Sequence, residues 1–284
     1  MGSQGLLLDI QLSYNQFTKT EKKIADYVLK SPDQVLFMSI TELADECHVA
    51  EASVHRFCRT VGAKGYQEFK MKLSLSLAPD DANGDLLPED ESHDGNLAFF
   101  DSILQYHLGA IRETNRLLDP DVVEETVEMM LNSDNIFFFG IGDSLITAEE
   151  ARNKFLRITP KVQTILDPHM QAMAASMLTE KDMVFFVSYS GATKDTVFVA
   201  QIARRAGAKI SAISRFLKSP LTEYADTVLI CGSNEGPLEG GSMGAMMSQL
   251  HIIDILFECY RRKAPEATRE NKRKTSGAVA EKLY

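Results

Sequence analysis

The chain lacks the cysteine and histidine patterns of disulfide-rich and zinc-binding proteins. Its four cysteines are scattered without a CxxC pair, and its six histidines form no HExxH motif. No apolar run is long enough for the core of a secretion signal or for a membrane span. Neither a disulfide framework nor a zinc site is therefore indicated. We expect a cytoplasmic protein that has no cofactor, no metal and no membrane partner.

Basic residues are absent from one segment and concentrated in another. The net charge is -10, and residues 78–95 hold seven acidic residues and no lysine or arginine. Residues 1–77 hold nine of each sign, and residues 52–72 hold five basic residues against one acidic residue. Phosphate backbones respond to such a local basic stripe rather than to the total charge. The acidic total therefore does not exclude nucleic-acid binding by the N-terminal part.

The length and the acidic segment predict two domains. A chain of 284 residues is long enough for about two domains with proper cores. The acidic segment also contains proline and glycine and little apolar material, which is typical of an extended linker. We predict a helical domain over residues 1–77, a linker over 78–95, a second domain over 96–262 and a solvated basic tail over 263–284.

The N-terminal domain carries the signals of a helix-turn-helix. Capping boxes begin helices at Thr18-x-x-Glu21 and Ser39-x-x-Glu42, and Gly62 closes a third helix that begins at Glu51. The third helix has one apolar face, and arginine on its opposite face can bind guanine in the major groove. The candidate DNA-binding residues are Ala52, Ser53, His55, Arg56, Arg59 and Lys64. The alternative is a small helical domain with solvated arginines.

From residue 135 onward, short apolar runs alternate with helical segments. Strands are predicted at 135–139, 162–166, 183–187, 209–213 and 226–230. Helices are predicted at 143–158, 170–177, 193–206 and 242–262. This alternation indicates a parallel sheet covered by helices on both faces.

Hydroxyl side chains follow two of these strands. Gly142 and Ser144 follow the first strand, and the segment Ser188–Thr193 follows the third. Glycine lets backbone N–H groups approach an anion, and a helix N-terminus favours negative charge. One such loop alone is more simply a tight turn with a serine cap. Two loops at the carboxyl ends of one sheet indicate a phosphate site.

Longer stretches resemble known families. Residues 20–27 (TEKKIADY), 40–44 (ITELA), 54–62 (VHRFCRTVG) and 64–70 (KGYQEFK) resemble the RpiR family of bacterial regulators. The segments GIGDS (140–144), SYSGAT (188–193), AGAKI (206–210) and SPLTEYAD (219–226) resemble a sugar isomerase (SIS) domain. Ala50 departs from the family, which usually has a serine that caps the third helix.

The resemblance implies a fold and a site. We expect an all-α helix-turn-helix domain followed by an α/β three-layer SIS domain with a five-stranded parallel sheet. The family's phosphosugar site falls here on Ser144, Ser188, Ser190 and Thr193. Gly191 would give backbone access, and Glu239 lies near a glutamate of related enzymes.

Two functions fit this combination. The first is a DNA-binding transcriptional regulator of sugar or amino-sugar metabolism, controlled by a phosphorylated sugar. It would be a homodimer or homotetramer on a double-stranded DNA operator, and it would not be an enzyme. The alternative is a phosphosugar isomerase whose N-terminal helices serve oligomerisation. An isomerase needs acid-base groups, and the strand-end loops supply only hydroxyls and Glu239. We therefore favour the regulator.

Overall fold

A computed structural model describes residues 5–77, 93–232, 243–280 and 282, with backbone only for 93–96. Contacts divide the chain into two compact units, with the boundary between residues 108 and 109. Glu239 and residues 78–92 of the predicted linker lie outside the described residues.

The N-terminal unit is helical, as predicted. Its helices are α1 (Leu6–Ser13), α2 (Lys19–Lys30), α3 (Pro32–Leu36), α4 (Ile40–Glu46), α5 (Glu51–Thr60) and α6 (Tyr66–Leu77). Thr18 and Ser39 both form the predicted capping boxes, and Gly62 has the left-handed backbone (φ +81°) expected after α5. α1 was not predicted.

Aromatic rings hold the core of this unit together. The Phe57 ring of α5 lies edge-on to Phe17 (centroids 5.5 Å apart) and to Phe69 of α6 (5.9 Å). Val54 and Cys58 are buried on the same side of α5. The predicted apolar face of the third helix is therefore confirmed.

The second unit alternates helices and strands. Its helices are α7 (His93–Leu117, the C-terminal part of which belongs to this unit), α8 (Pro120–Asn132), α9 (Asp143–Phe155), α10 (Pro168–Ser176), α11 (Lys194–Arg205), α12 (Met243–Lys263) and α13 (Pro265–Ala280). Its strands are β1 (Asn135–Phe139), β2 (Val162–Thr164), β3 (Asp182–Val187), β4 (Lys209–Ser214) and β5 (Thr227–Ile230).

The five strands form one parallel sheet in the order β2-β1-β3-β4-β5. Adjacent residues of β3 point to opposite faces, so each face has its own core. Phe185 joins the cluster formed with α8, α9 and α12, whereas Phe186 joins the cluster formed with α10 and α11. The three-layer arrangement predicted for this domain is confirmed.

The basic C-terminal segment is a docked helix. We expected a solvated tail after residue 262, but α13 packs against the end of α9. Asn271 Nδ2 donates to the carbonyl of Ile158 (3.0 Å), and Thr275 Oγ1 donates to the carbonyl of Arg157 (3.0 Å). Thr268, one turn before Asn271, is only 2% exposed. These polar residues fix one face of α13, which charge counting alone did not reveal.

Candidate functional site

The two hydroxyl-bearing loops lie side by side at the C-terminal edge of the sheet. β1 has β2 on one side and β3 on the other, so the chain leaves β1 and β3 in opposite directions. In open parallel sheets, ligands bind in the crevice at this reversal of strand order. The topology therefore places the loops after β1 and β3, which the sequence had singled out, at the position where a ligand is expected.

The loop after β1 has a fixed backbone. Gln171 of α10 is 1% exposed, and its Nε2 donates to the carbonyl of Gly140 (3.1 Å). A Cβ at Gly140 would lie 2.5 Å from the Ser144 carbonyl oxygen, so no larger residue fits. Gly142 has φ +62° and immediately precedes α9, and Ser144 is half-buried in the first turn of that helix. The loop presents Ser144 from a rigid turn.

The loop after β3 is shaped by Gly191. Its φ is +60°, and a Cβ there would lie 2.1 Å from Ser219 Oγ. Its carbonyl accepts the N–H of Leu221 (2.9 Å), which ties the loop to the segment after β4. The resemblance to a SIS domain implied that Gly191 gives the ligand access to the backbone. The structure adds a packing requirement, because the backbone must approach Ser219 closely.

Several hydroxyls at this edge are free to donate. Within the described residues, the hydroxyls of Ser144, Ser188 and Thr193 have no hydrogen-bond partner. Ser190 Oγ accepts the N–H of Ala192 (3.2 Å) and keeps its own proton available. Ser188 is 4% exposed and Thr193 is exposed, so the hydroxyls extend from the base of the loop to its surface.

The starts of α9 and α11 also have no side-chain cap. α10 begins at the same edge, but Asp167 caps it by accepting the N–H of Met170 (3.0 Å). The first N–H groups of a helix need an acceptor and favour an anion. The starts of α9 and α11 therefore offer N–H donors to an anion, whereas the start of α10 already has an acceptor in the Asp167 carboxylate.

One charged side chain at this edge was missed by the sequence analysis. Arg215 follows β4, and its N–H donates to the carbonyl of Tyr189 (2.9 Å) in the loop after β3. Its guanidinium pairs with Glu113 of α7 (3.0 Å), and the Arg215 side chain is 19% exposed. An arginine immediately after a buried strand was the signal that could have found it.

α7 is fixed to the same edge by a hydrogen bond between one of its side chains and the backbone that follows β5. The N–H of Gly232, just after β5, donates to Thr114 Oγ1 (2.8 Å), and Thr114 is fully buried. A Cβ at Gly232 would lie 2.6 Å from the Thr114 nitrogen. The C-terminal part of α7 is thus held by both a hydrogen bond and the Glu113 ion pair.

The candidate DNA-binding residues lie mostly on one exposed face of α5. Ala52, Arg56, Arg59 and Lys64 are exposed, and His55 is half-buried. Ser53 differs, because it is 8% exposed and its Oγ accepts from Arg56 Nη2 (3.2 Å). The structure therefore places Ser53 beneath Arg56, while the other residues share the outer surface.

Contacts to neighbouring helices orient α5. Thr60 Oγ1 donates to Glu21 Oε1 (2.8 Å), the carboxylate that also caps α2. The hydrogen bond from the Thr18 N–H lowers the pKa of Glu21, and the Thr60 and Thr18 hydroxyls and Arg56 lower it further. Ala50 provides no cap, as expected, but Thr41 of α4 donates to Glu51 in the first turn of α5.

The described residues contain no cluster of histidine, cysteine, aspartate or glutamate that could hold a metal ion. Over the same part of the chain, each helix is too short or too polar to cross a membrane.

Comparisons with known proteins agree for both units. Residues 4–80 match the helix-turn-helix domain of the rpiR family, and residues 129–259 match the SIS domain. An HTH-type transcriptional regulator of Haemophilus influenzae is 37% identical over 98% of both chains. The regulator HexR of Pseudomonas aeruginosa is 33% identical over 89% of this chain and 88% of its own.

A solved structure resembles the whole chain. The NanR protein of Vibrio vulnificus, complexed with ManNAc-6P, superposes with a TM-score of 0.87. It is 28% identical, and the match covers 98% of this chain and 99% of NanR.

Proposed function

Because the chain belongs to the RpiR family of helix-turn-helix transcriptional regulators, we propose that it binds a double-stranded DNA operator under the control of a phosphorylated sugar. Its close relatives are named transcriptional regulators, so it is a regulator and not an enzyme. The observation that carries the effector proposal is a set of hydroxyls that donate no hydrogen bond within the described residues, beside two uncapped helix starts.

The phosphoryl group would be bound by the loops after β1 and β3. Its oxygens would accept hydrogen bonds from the hydroxyls of Ser144, Ser188, Ser190 and Thr193, and from the first N–H groups of α9 and α11. Gly142 and Gly191 keep side chains away from the loop backbone. Glu239 remains a proposed contact to the sugar. NanR was solved with ManNAc-6P, so phosphorylated amino sugars are the first ligands to test.

The exposed face of α5 would enter the major groove. Arg56 and Arg59 would bind base edges, and guanine is the usual partner of arginine. Ala52 and His55 would lie near the same bases, and Lys64 would contact phosphate. Ser53 would act by fixing the guanidinium of Arg56. A homodimer or homotetramer would place two such helices on half-sites one DNA turn or more apart.

The effector signal would leave the site through Arg215 and α7. Arg215 is joined by its backbone to Tyr189 in the loop after β3, and by its side chain to Glu113 of α7. An anion that reorganises this loop would therefore act on α7, which begins at His93, within the last three residues of the acidic segment 78–95. A coupling of about 1–3 kcal/mol between effector and operator would suffice for regulation.

Paired variants test this division of labour. We expect Arg56→Ala and Arg59→Ala to weaken operator binding by about 1–3 kcal/mol each while effector affinity stays unchanged. Ser190→Ala should weaken effector binding and leave DNA affinity without effector unchanged. Calorimetry with sugar phosphates and gel-shift titration with operator DNA measure the two affinities. Equal losses of both affinities in both kinds of variant would contradict the proposal.

A further inference from the structure

The end of α12 and the first part of α13 carry a concentration of positive charge. Residues 261–274 hold seven lysines and arginines and two acidic residues, in a chain whose net charge is -10. Three of the basic residues are paired: Arg261 with Glu258, Lys263 with Glu124 and Glu128, and Lys274 with Glu270. Arg262, Arg269, Lys272 and Arg273 have no ion pair among the described residues.

Three of these unpaired cations, Arg262, Arg269 and Lys272, line a groove. An open groove of about 280 Å³ is lined by Arg261, Arg262, Pro265, Thr268, Arg269 and Lys272. Lys272 also lines a second groove between α13 and the end of α9, where it is joined by the exposed Arg157. The two grooves share Lys272 and therefore form one continuous basic surface on the second unit.

The fold fixes this surface rather than leaving it to a mobile tail. Asn271 and Thr275 attach one side of α13 to the C-terminal end of α9, and Thr268 is buried beside them. Lys272 and Arg273 follow Arg269 by three and four residues, and all three are exposed. Like charges at this spacing destabilise a helix, so a partner that neutralises them would stabilise α13.

We propose that this groove binds the phosphate backbone of duplex DNA flanking the operator. The inference rests on the proposed DNA-binding function and adds a second contact outside the helix-turn-helix. The groove is open and its cations are exposed, which suits an extended polyanion. Its described lining includes no aromatic ring on which bases of a single strand could stack. Backbone contacts of this kind carry no sequence information and depend strongly on salt.

The test uses the full chain and operators of different length. Genomic DNA fragments that bind the wild-type protein are selected and shortened to the minimal duplex that still binds. This short duplex is then extended by one to three helical turns, about 10–30 base pairs, on each side. The variant is Arg262→Gln/Arg269→Gln/Lys272→Gln. A control with the same loss of charge is Lys181→Gln/Arg205→Gln/Lys209→Gln, which changes exposed residues elsewhere in the same unit.

We expect the wild type and the control to bind the long duplex about tenfold more tightly than the short one at low salt. The triple variant should lose this gain and keep its affinity for the short duplex. Its plot of log affinity against log salt on the long duplex should be shallower by about 0.9 for each lost phosphate contact. Circular dichroism and the unfolding midpoint show whether the variant is folded.

Three results would overturn the inference: equal wild-type affinity for both lengths, equal losses for the variant on both lengths, or the same loss in the control. If selection with the wild-type protein recovers no duplex, the proposed DNA-binding function itself fails. That outcome is distinct from loss of the flanking contact alone.

Discussion

Serine and threonine begin helices in both units of the protein, but they do different things. In the N-terminal unit, Thr18 and Ser39 each accept a backbone N–H and are bound in return by a glutamate three residues later. At the edge of the sheet, Ser144 and Thr193 lie at the starts of α9 and α11 without capping them. Serine and threonine cap a helix where a glutamate follows three residues later. In the glycine-containing loops at the sheet edge, the same residue types leave their hydroxyls available to a ligand.

The largest effect should come from breaking the loop that presents the free hydroxyls. Gly191→Ala places a Cβ 2.1 Å from Ser219 Oγ at a positive φ. We expect a loss of about 3 kcal/mol or more in the free energy of unfolding, because both sterics and backbone strain oppose it. Chemical denaturation measures this loss.

Gly142→Ala is the matched control for that variant. Gly142 also has a positive φ, but nothing lies within 4 Å of its added Cβ. Only the cost of the positive-φ backbone, about 1–3 kcal/mol, should appear. Equal losses in both variants would mean that the contact with Ser219 does not shape the loop.

The second prediction concerns a polar side chain that is buried in the N-terminal unit and serves no ligand. Lys70 is 6% exposed, and burial lowers its pKa to about 8, with its Nζ donating to the Met38 carbonyl (3.1 Å). Tyr66 Oη donates to the same carbonyl (3.2 Å), so Lys70→Met leaves that oxygen satisfied. The variant should be more stable at pH 7, by at most about 3 kcal/mol.

The pH dependence of that gain follows from the lowered pKa. Below pH 8 the buried lysine is charged in both states, and its desolvation cost is fully present. Between pH 8 and the usual lysine pKa of 10.5, the unfolded chain binds more protons, so the wild type gains stability as pH rises. The advantage of Lys70→Met should vanish over this window. Hydrogen exchange of α6 amides measures it, and an advantage that stays constant over this window would contradict the account.

Removing one hydroxyl from each class tests the comparison itself. Ser39→Ala should cost about 1 kcal/mol of stability, because the N–H of Glu42 loses its acceptor. Ser144→Ala should change stability by less than about 0.5 kcal/mol, since its hydroxyl bonds nothing among the described residues. Thermal unfolding of the two variants side by side gives the answer. A loss at Ser144 as large as that at Ser39 would mean that both hydroxyls are structural.

The smallest effect concerns the carboxylate of a capping box. Hydrogen bonds from Thr18 and Thr60 lower the pKa of Glu21 from its usual value near 4.5. Its contribution is therefore present above pH 4.5 and is lost as pH falls through the lowered value. Glu21→Gln should flatten this acid loss, which amounts to less than about 1 kcal/mol for so exposed a group. An unchanged acid unfolding profile would show that Glu21 is not involved.

The strands and most helices could be predicted because their signals are local. All five strands lie within one or two residues of the predicted positions, since each is a short apolar run between turn residues. α1 was missed because Leu6–Leu8 was considered only as a possible signal core. α13 was missed because its basic residues were interpreted by charge, whereas Asn271 and Thr275 attach it through bonds to distant carbonyls.

The loops of the site could be predicted from the sequence, but the side chains that packing brings next to them could not. Glycine and hydroxyl spacing identified the loops after β1 and β3, because those signals lie within a few residues. Arg215 and Glu113 are 102 positions apart in the chain and meet only through the packing of α7 on the sheet edge. Ser53 lies near the boundary between the two faces of α5, and only the packing places it beneath Arg56.

The central claim is that the hydroxyls and helix starts at the sheet edge bind a phosphoryl group. Calorimetry with ManNAc-6P and with unphosphorylated ManNAc, on the wild type and on Ser188→Ala/Ser190→Ala, tests it most directly. We predict that the phosphorylated sugar binds at least about 100-fold more tightly, a difference of nearly 3 kcal/mol, and that the double variant abolishes most of this preference. Equal affinity for the two sugars, or an unchanged preference in the variant, would contradict the account. If neither sugar binds, the same comparison is made with the phosphorylated sugar that a thermal-shift screen selects.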